Sequence, residues 1–309
     1  MPIHTLQTPV PIPTPPSADK PVAGMAYAAL AFFLFGVMSA LTKLMTESHS
    51  VVEIIFFRHV ITILPFFLFI YWHNKSLLKL PGGHMNKILL LRCFLGVTGM
   101  LVTFSSLKYL PITDLTVILF LSTLLAPLAA HWLLKEHIGW HRMSAIFIGL
   151  CGALLIVHPS GNANSFGIML GLCAALIHTS AYLVLRYIRK VDPLTVTFYF
   201  FISCTIVSGI LMPWFASPVT WQDFFFFLAI GVAGGAGQLC ITMASKYAPP
   251  ALVVPFNFTG LIWAAGFDIL IWHHFPAPQI YLGAAIIIAA KFFVLYREHR
   301  HQKRKIKAQ

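Results

Sequence analysis

Runs of about 20 apolar residues recur along almost the whole chain, each long enough to cross a hydrocarbon layer as an α-helix. Few folds tolerate that pattern, because only helices and closed barrels satisfy every backbone N–H and C=O group in lipid. Ten runs are placed at roughly 23–44, 51–72, 87–107, 112–134, 140–158, 166–187, 194–215, 221–245, 249–272 and 279–297. Of the 309 residues, 58% are hydrophobic and 10% charged, with a mean hydropathy of +0.82. So few charges cannot cover a soluble protein of this length. The fold class this predicts is an all-α integral membrane protein with ten transmembrane helices and connections too short for a soluble domain.

The chain also repeats itself. Gly96, Gly99, Lys108, Tyr109 and Pro111 recur 138 residues later as Gly234, Gly237, Lys246, Tyr247 and Pro249. A fixed-period repeat sets the architecture. It divides the chain into a Pro-rich arm (1–21), a first five-helix copy (22–159), a second copy (160–297) and a basic tail (298–309). The arm carries Pro2, Pro9, Pro11, Pro13, Pro15, Pro16 and Pro21, which favours an extended, disordered segment. It lacks the basic start and apolar core of a signal peptide.

Lysine and arginine sort strongly between alternate loops. Lys75, Lys79, Lys87, Lys135, Arg142, Arg189, Lys190, Lys246 and the tail lie on one side; loops 45–50, 159–165, 216–220 and 273–278 hold none. The positive-inside rule then puts both termini in the cytoplasm. Five helices per copy is an odd number, so the second copy enters the bilayer inverted. Inverted repeats are a recurring plan of secondary transporters, where two half-structures exchange roles around a midplane site. The basic balance, with a pI near 9.7, therefore reports orientation, and no nucleic-acid partner is expected. Short loops suit a bacterial inner membrane. Pro127 and Pro255 mark the fourth and ninth spans for kinks.

Three stretches stand out: E-I-I-F-F-R-H-V-I at 53–61, L-R-C-F-L-G-V-T-G-M-L-V-T-F-S-S-L-K-Y-L-P-I-T-D-L-T at 91–116, and L-L-K-E-H-I-G-W-H-R at 133–142, which leads into a Gly-rich fifth span. With these stretches the chain resembles the drug/metabolite transporter superfamily, in its EamA family, over nearly all of 22–297. The wording is closest to carriers of S-adenosylmethionine and riboflavin. The resemblance implies two inverted five-helix repeats around a central cavity, a small-molecule metabolite as substrate, and no cofactor. Where the family often has proline, this chain has Thr123 and Leu261, and His274 stands where the first copy has Glu136. The halves have diverged.

Ionisable groups inside a bilayer are costly and each is a functional hypothesis by default. Arg58 and His59 fall near the middle of the second span; Arg58 reads either as substrate recognition or as a structural pin between helices. Asp268 has Ala130 as its counterpart. It is the candidate for proton coupling or for a cationic substrate, unless it is simply wet near the outer end. His178 is a proton relay or a packing residue. Gln238, Asn257 and Trp263 are substrate-cavity candidates, with interhelical hydrogen bonding as the other reading for the two amides. Arg92, Lys291 and Lys43 are expected to snorkel to the nearer surface. Gly96 and Gly99, with Gly234 and Gly237, are expected at a close contact between the repeats.

The cysteines lack metal-ligand spacing, and the cluster His131, Glu136, His137 and His141 lacks a zinc-site pattern, so no metal and no catalytic residues are assigned. The reading is a secondary transporter of a small polar organic metabolite, monomeric or homodimeric, proton-coupled or exchanging. An amino-acid or drug exporter of the same fold and an intramembrane enzyme are the alternatives. A channel has no comparable need of an inverted repeat.

Overall fold

The computed structural model describes residues 21–134, 164–188, 191–248 and 250–286, with isolated positions at 144, 147, 148, 288, 289 and 293. The helices are α1 (Pro21–Met45), α2 (Val51–His73), α3 (Gly83–Leu107), α4 (Ile112–Leu134), α5 (Ser165–Tyr187), α6 (Pro193–Phe215), α7 (Trp221–Tyr247), the short α8 (Pro250–Val253), α9 (Thr259–Trp272) and α10 over 278–286. α1 to α7 are each long and apolar enough to cross a membrane. The arm through residue 20, most of the fifth span, Lys291, the basic tail, and the loop with Glu136, His137 and His141 lie outside the described residues.

Helix starts follow local acceptors. Ser50 and Glu53 form a capping box at α2, Thr220 and Asp223 another at α7. Asn164 accepts from Phe166 and Gly167 at the start of α5, and Asp192 from Leu194 at the start of α6. Each satisfies amides that have no partner within the helix. Proline acts as expected in one place only. Around Pro255 the ninth span tightens into a 3-10 turn, Val254–Phe258, between α8 and α9. α4, by contrast, runs as one unbroken helix through Pro127. α9 ends on His273, which takes the left-handed conformation (φ 51°). The His274 N–H then reaches back to the Asp268 carbonyl at 3.0 Å, as in a Schellman closure.

The main packing pairs cross from the first half of the chain to the second. α1 lies on α7 and α9, α2 on α6 and α7, α3 on α5 and α6, and α4 on α5 and α9. The central core holds Met38, Ile54, Phe104, Leu107, Phe227 and Ile230; a second cluster joins Leu110, Phe120, Ile168 and Phe258. Large apolar side chains also cover the outside, Leu64, Phe94, Ile210 and Phe225 among them, while Trp72, Trp214 and Trp221 stand exposed at helix ends. Apolar exposure on this scale fits a lipid solvent, with tryptophans at its boundary.

Glycines permit the crossings. Gly96 faces Phe200 of α6, Gly99 faces Ile177 and His178 of α5, Gly234 faces Arg58 and Met38, and Gly237 faces Leu34 and Phe35. Each of the four thus meets the opposite half. α3 and α7 themselves do not form a packed pair among the described residues, contrary to the mutual contact that their matching glycines suggest. The glycine faces are instead spent on α5, α6, α1 and α2.

A Cβ at Gly234 would lie 2.5 Å from Arg58 Nε and 3.0 Å from Met38 Sδ, whereas one at Gly266 would meet nothing within 4 Å. Gly234→Ala should therefore cost about 1–3 kcal/mol by overpacking, read as a lower unfolding temperature of the purified protein. Gly266→Ala should not lower it. Gly234→Leu should lose transport before it loses membrane insertion; normal transport by that variant would refute the crowding argument.

Candidate functional site

Polar side chains gather in three places. The first is the end of the bundle that carries loops 46–50, 108–111 and 216–220, poor in lysine and arginine. Here Asp268, fully buried, reaches across to the start of α4. Its Oδ1 accepts the Ile112 N–H at 3.1 Å; its Oδ2 accepts the Thr113 N–H at 2.8 Å and the Thr113 hydroxyl at 2.7 Å. Lys43 Nζ lies 3.8 Å from Oδ1 and donates to the Leu110 carbonyl at 2.8 Å, with the Trp272 ring 4.8 Å away. Asp268 thus caps a helix 155 residues away in the chain, where a negative charge is favoured. Lys43 does not snorkel; it is held in this network. Asp114 Oδ1, buried in the same first turn of α4, has no hydrogen-bond partner.

A second network closes the other side of that end. Glu53, also fully buried, accepts the Ser50 N–H at 2.9 Å and the Ser217 N–H at 2.8 Å. The Ser217 hydroxyl bonds to both Glu53 and His49 Nδ1 at 3.0 Å. His49 Nε2 lies 3.3 Å from Asp223. Together they tie the start of α2 to the connection between α6 and α7.

The third place is the middle of the bundle. Arg58 is buried; Nη1 lies 2.8 Å from the Met100 sulfur, and the guanidinium carbon sits 5.8 Å from the Phe104 ring centre. Among the described residues no carboxylate lies within ion-pair distance of it. His59 donates from Nδ1 to the Ile55 carbonyl at 2.7 Å, leaves Nε2 without a partner, and abuts Phe200 and Phe201. It therefore faces α6, with no polar neighbour at its far nitrogen. Thr62 donates to both the Arg58 and the Gly231 carbonyls.

His178 of α5 meets Thr103 of α3, Nε2 to Oγ1 at 3.0 Å. Arg92 lies on the same face of α3, one turn before Gly96, and its Nε and Nη1 are buried without partners. It too fails to snorkel. Trp263 packs edge-on against Phe33 at 4.8 Å. Gln238 and Asn257 are half-buried, and their carbonyls accept from Thr242 and Thr259. The site residues read from the sequence therefore fall into separate neighbourhoods: Arg58 with His59, His178 near Arg92, and Asp268 at the lysine-poor end. At the opposite end a cleft of about 330 Å³ opens between α2, α6 and α7, lined by Asn74, Asp192, Thr242, Ser245 and Lys246.

Sequence reasoning missed Thr113, His49 and Ser217, and gave Lys43 only an anchoring role. Only Glu53 carried a usable signal, the S-x-x-E spacing of a capping box.

Comparison with known proteins fits this architecture. The EamA-like transporter family model matches the chain twice, over residues 22–158 and 165–296, and the chain belongs to that family. A pseudopaline exporter of Pseudomonas aeruginosa is 28% identical over 276 residues, covering 87% of this chain and 94% of that protein. Solute carrier family 35 member G1 of Homo sapiens is 27% identical over 300 residues, covering 90% and 81%. A riboflavin transporter of Rhizobium johnstonii is 26% identical over 227 residues, covering 72% and 73%. A solved crystal structure, similar in fold alone, gives a TM-score of 0.63 at 16% identity over 90% of this chain and 98% of that one. The protein is a multi-pass membrane transporter and not an enzyme.

Removing one partner of a buried charge network strands the other. Asp268→Ala should destabilise the protein by about 3–5 kcal/mol, and Lys43→Met should cost much less in the Asp268→Ala background than alone. Thermal unfolding of the four proteins of this cycle measures the coupling; strict additivity would mean the two side chains do not act together.

Proposed function

We propose that the protein is a secondary carrier that moves a small polar organic metabolite by alternating access between two inverted five-helix repeats, 22–159 and 160–297. The observation that carries this reading is the double match to one family model, combined with packing in which each half lies on the other. An odd number of helices per copy inverts the second, and inverted halves can exchange conformations. In this reading both termini face the cytoplasm of a bacterial inner membrane, so the lysine-poor end faces out. The present conformation is then closed outward by the Asp268 and Glu53 networks. The substrate is of the S-adenosylmethionine or riboflavin kind; the name of the riboflavin transporter among its relatives supports that range, and the pseudopaline exporter widens it.

Asp268 remains the coupling candidate, now through a defined route. Neutralising its carboxylate removes the charge that holds Lys43 and weakens its acceptance of two α4 amides, which frees the outer end. The carrier reading is tested by counterflow in proteoliposomes with labelled riboflavin, S-adenosylmethionine and amino acids. Preloading with the unlabelled substrate should accelerate its uptake. Uptake indifferent to preloading for every compound would indicate a channel. Asp268→Asn should flatten the pH dependence of exchange; an unchanged pH profile would remove Asp268 as the coupling group and leave the carrier intact.

A further inference from the structure

The middle of the bundle holds positive charge that no carboxylate answers among the described residues. Arg92 is nine residues into α3, about 13 Å from its start. Its guanidinium folds back along the helix over Gly96, where a Cβ would lie 2.7 Å from Nη1 and 2.7 Å from Phe200 Cε2. The Phe200 ring covers it, with 5.7 Å from the guanidinium carbon to the ring centre. Nε and Nη1 reach no acceptor. Arg58 occupies a separate neighbourhood, against Met100 and Phe104. Among the described residues, neither arginine has a carboxylate within ion-pair distance.

Uncompensated charge in a bilayer core is costly, and such residues ordinarily pair with each other or mark a substrate path. The wall beside Arg92 is also unusual. His178 and Tyr182 stand one turn apart on α5, facing the Arg92, Gly96, Gly99 and Thr103 edge of α3. Tyr182 is 46% exposed.

We propose that Arg92, with Tyr182 and His178 beside it, is the recognition site for an organic anion presenting a carboxylate. A planar guanidinium with free N–H groups matches a carboxylate in shape and charge. The Tyr182 hydroxyl offers one further donor, and the rings of Phe200 and Tyr182 suit an organic body. Occupation requires Arg92 to swing off Phe200 toward Tyr182. Gly96 is what leaves room for the side chain in the resting position. The assignment rests on the carrier reading and narrows its substrate class.

The test uses the purified full-length protein and four probes: succinate and citrate as carboxylates, inorganic phosphate, and succinamide as the neutral analogue of succinate. Riboflavin serves as a separate neutral arm. Succinate or citrate should raise the unfolding temperature in a concentration-dependent way, and succinamide should not. In Arg92→Gln the apparent affinity for the carboxylate should fall by at least about ten-fold, with Arg92→Lys retaining part of it. The unliganded Arg92→Gln protein should unfold no earlier than wild type, because it loses an unpaired buried charge; a structural arginine would predict the reverse. Should Arg92→Gln fail to fold, Tyr182→Phe and the wild-type probe series decide. Carboxylates that leave wild type unchanged, or that stabilise Arg92→Gln equally, overturn the proposal, as does a response to phosphate alone. A riboflavin response, or counterflow of any compound, in the absence of a carboxylate response would leave the carrier reading standing.

Discussion

The first amides of every helix lack partners within that helix, and an apolar surrounding offers no water to serve them. Four helices here solve this locally, with Ser50, Asn164, Asp192 and Thr220 at their starts. α4 does not. Its first amides are served by Asp268 from the far half of the chain, with Lys43 of α1 alongside. One carboxylate therefore joins α1, α4 and α9 at a single point, and the lysine-poor end of the bundle depends on it. The Glu53 and Ser217 bonds do the same for α2 and the α6–α7 connection. Both are few, directional and charge-assisted, so they hold firmly while intact and fail together when the charge is lost.

Away from that end, the halves meet through small residues. Gly96, Gly99, Gly234 and Gly237 bring α3 and α7 close to helices of the opposite half, where dispersion contacts do the work that the hydrophobic effect cannot do in lipid. Such contacts are smooth and mostly free of hydrogen bonds. A bundle with polar ties at one end and glycine-lined seams along its length can open where it is tied without losing its packing elsewhere. That division of labour is what alternating access asks of a carrier.

Much of the architecture was legible from the sequence, because lipid reduces the choice to apolar helices of a set length. The apolar spans follow from that one constraint; the repeat and the lysine asymmetry are separate signals in the residues. The ninth span did break at Pro255, yet α4 passed Pro127 unbroken, since a neighbouring helix can satisfy what a proline frees. The site was less legible. Asp268 stood out as a lone acid, but its partners lie 155 residues away as backbone amides, which leave no mark in composition. Arg92 was expected to snorkel because its distance to the helix end was the only measure available; its seat beneath Phe200 depends on how α3 meets α6. Likewise, the matching glycines of α3 and α7 disclose a close approach and say nothing of which helix approaches.

The central claim is that the two ends of this bundle open in opposition, with Asp268 holding one of them shut. Spin labels at Lys108 and Val219 report the lysine-poor end, and labels at Lys87 and Ser245 report the other. Double electron–electron resonance on both pairs, in a background without native cysteines, measures the two separations in lipid. The account predicts that Asp268→Asn lengthens the first distance and shortens the second. Two distances that move together, or that ignore the substitution, would contradict it.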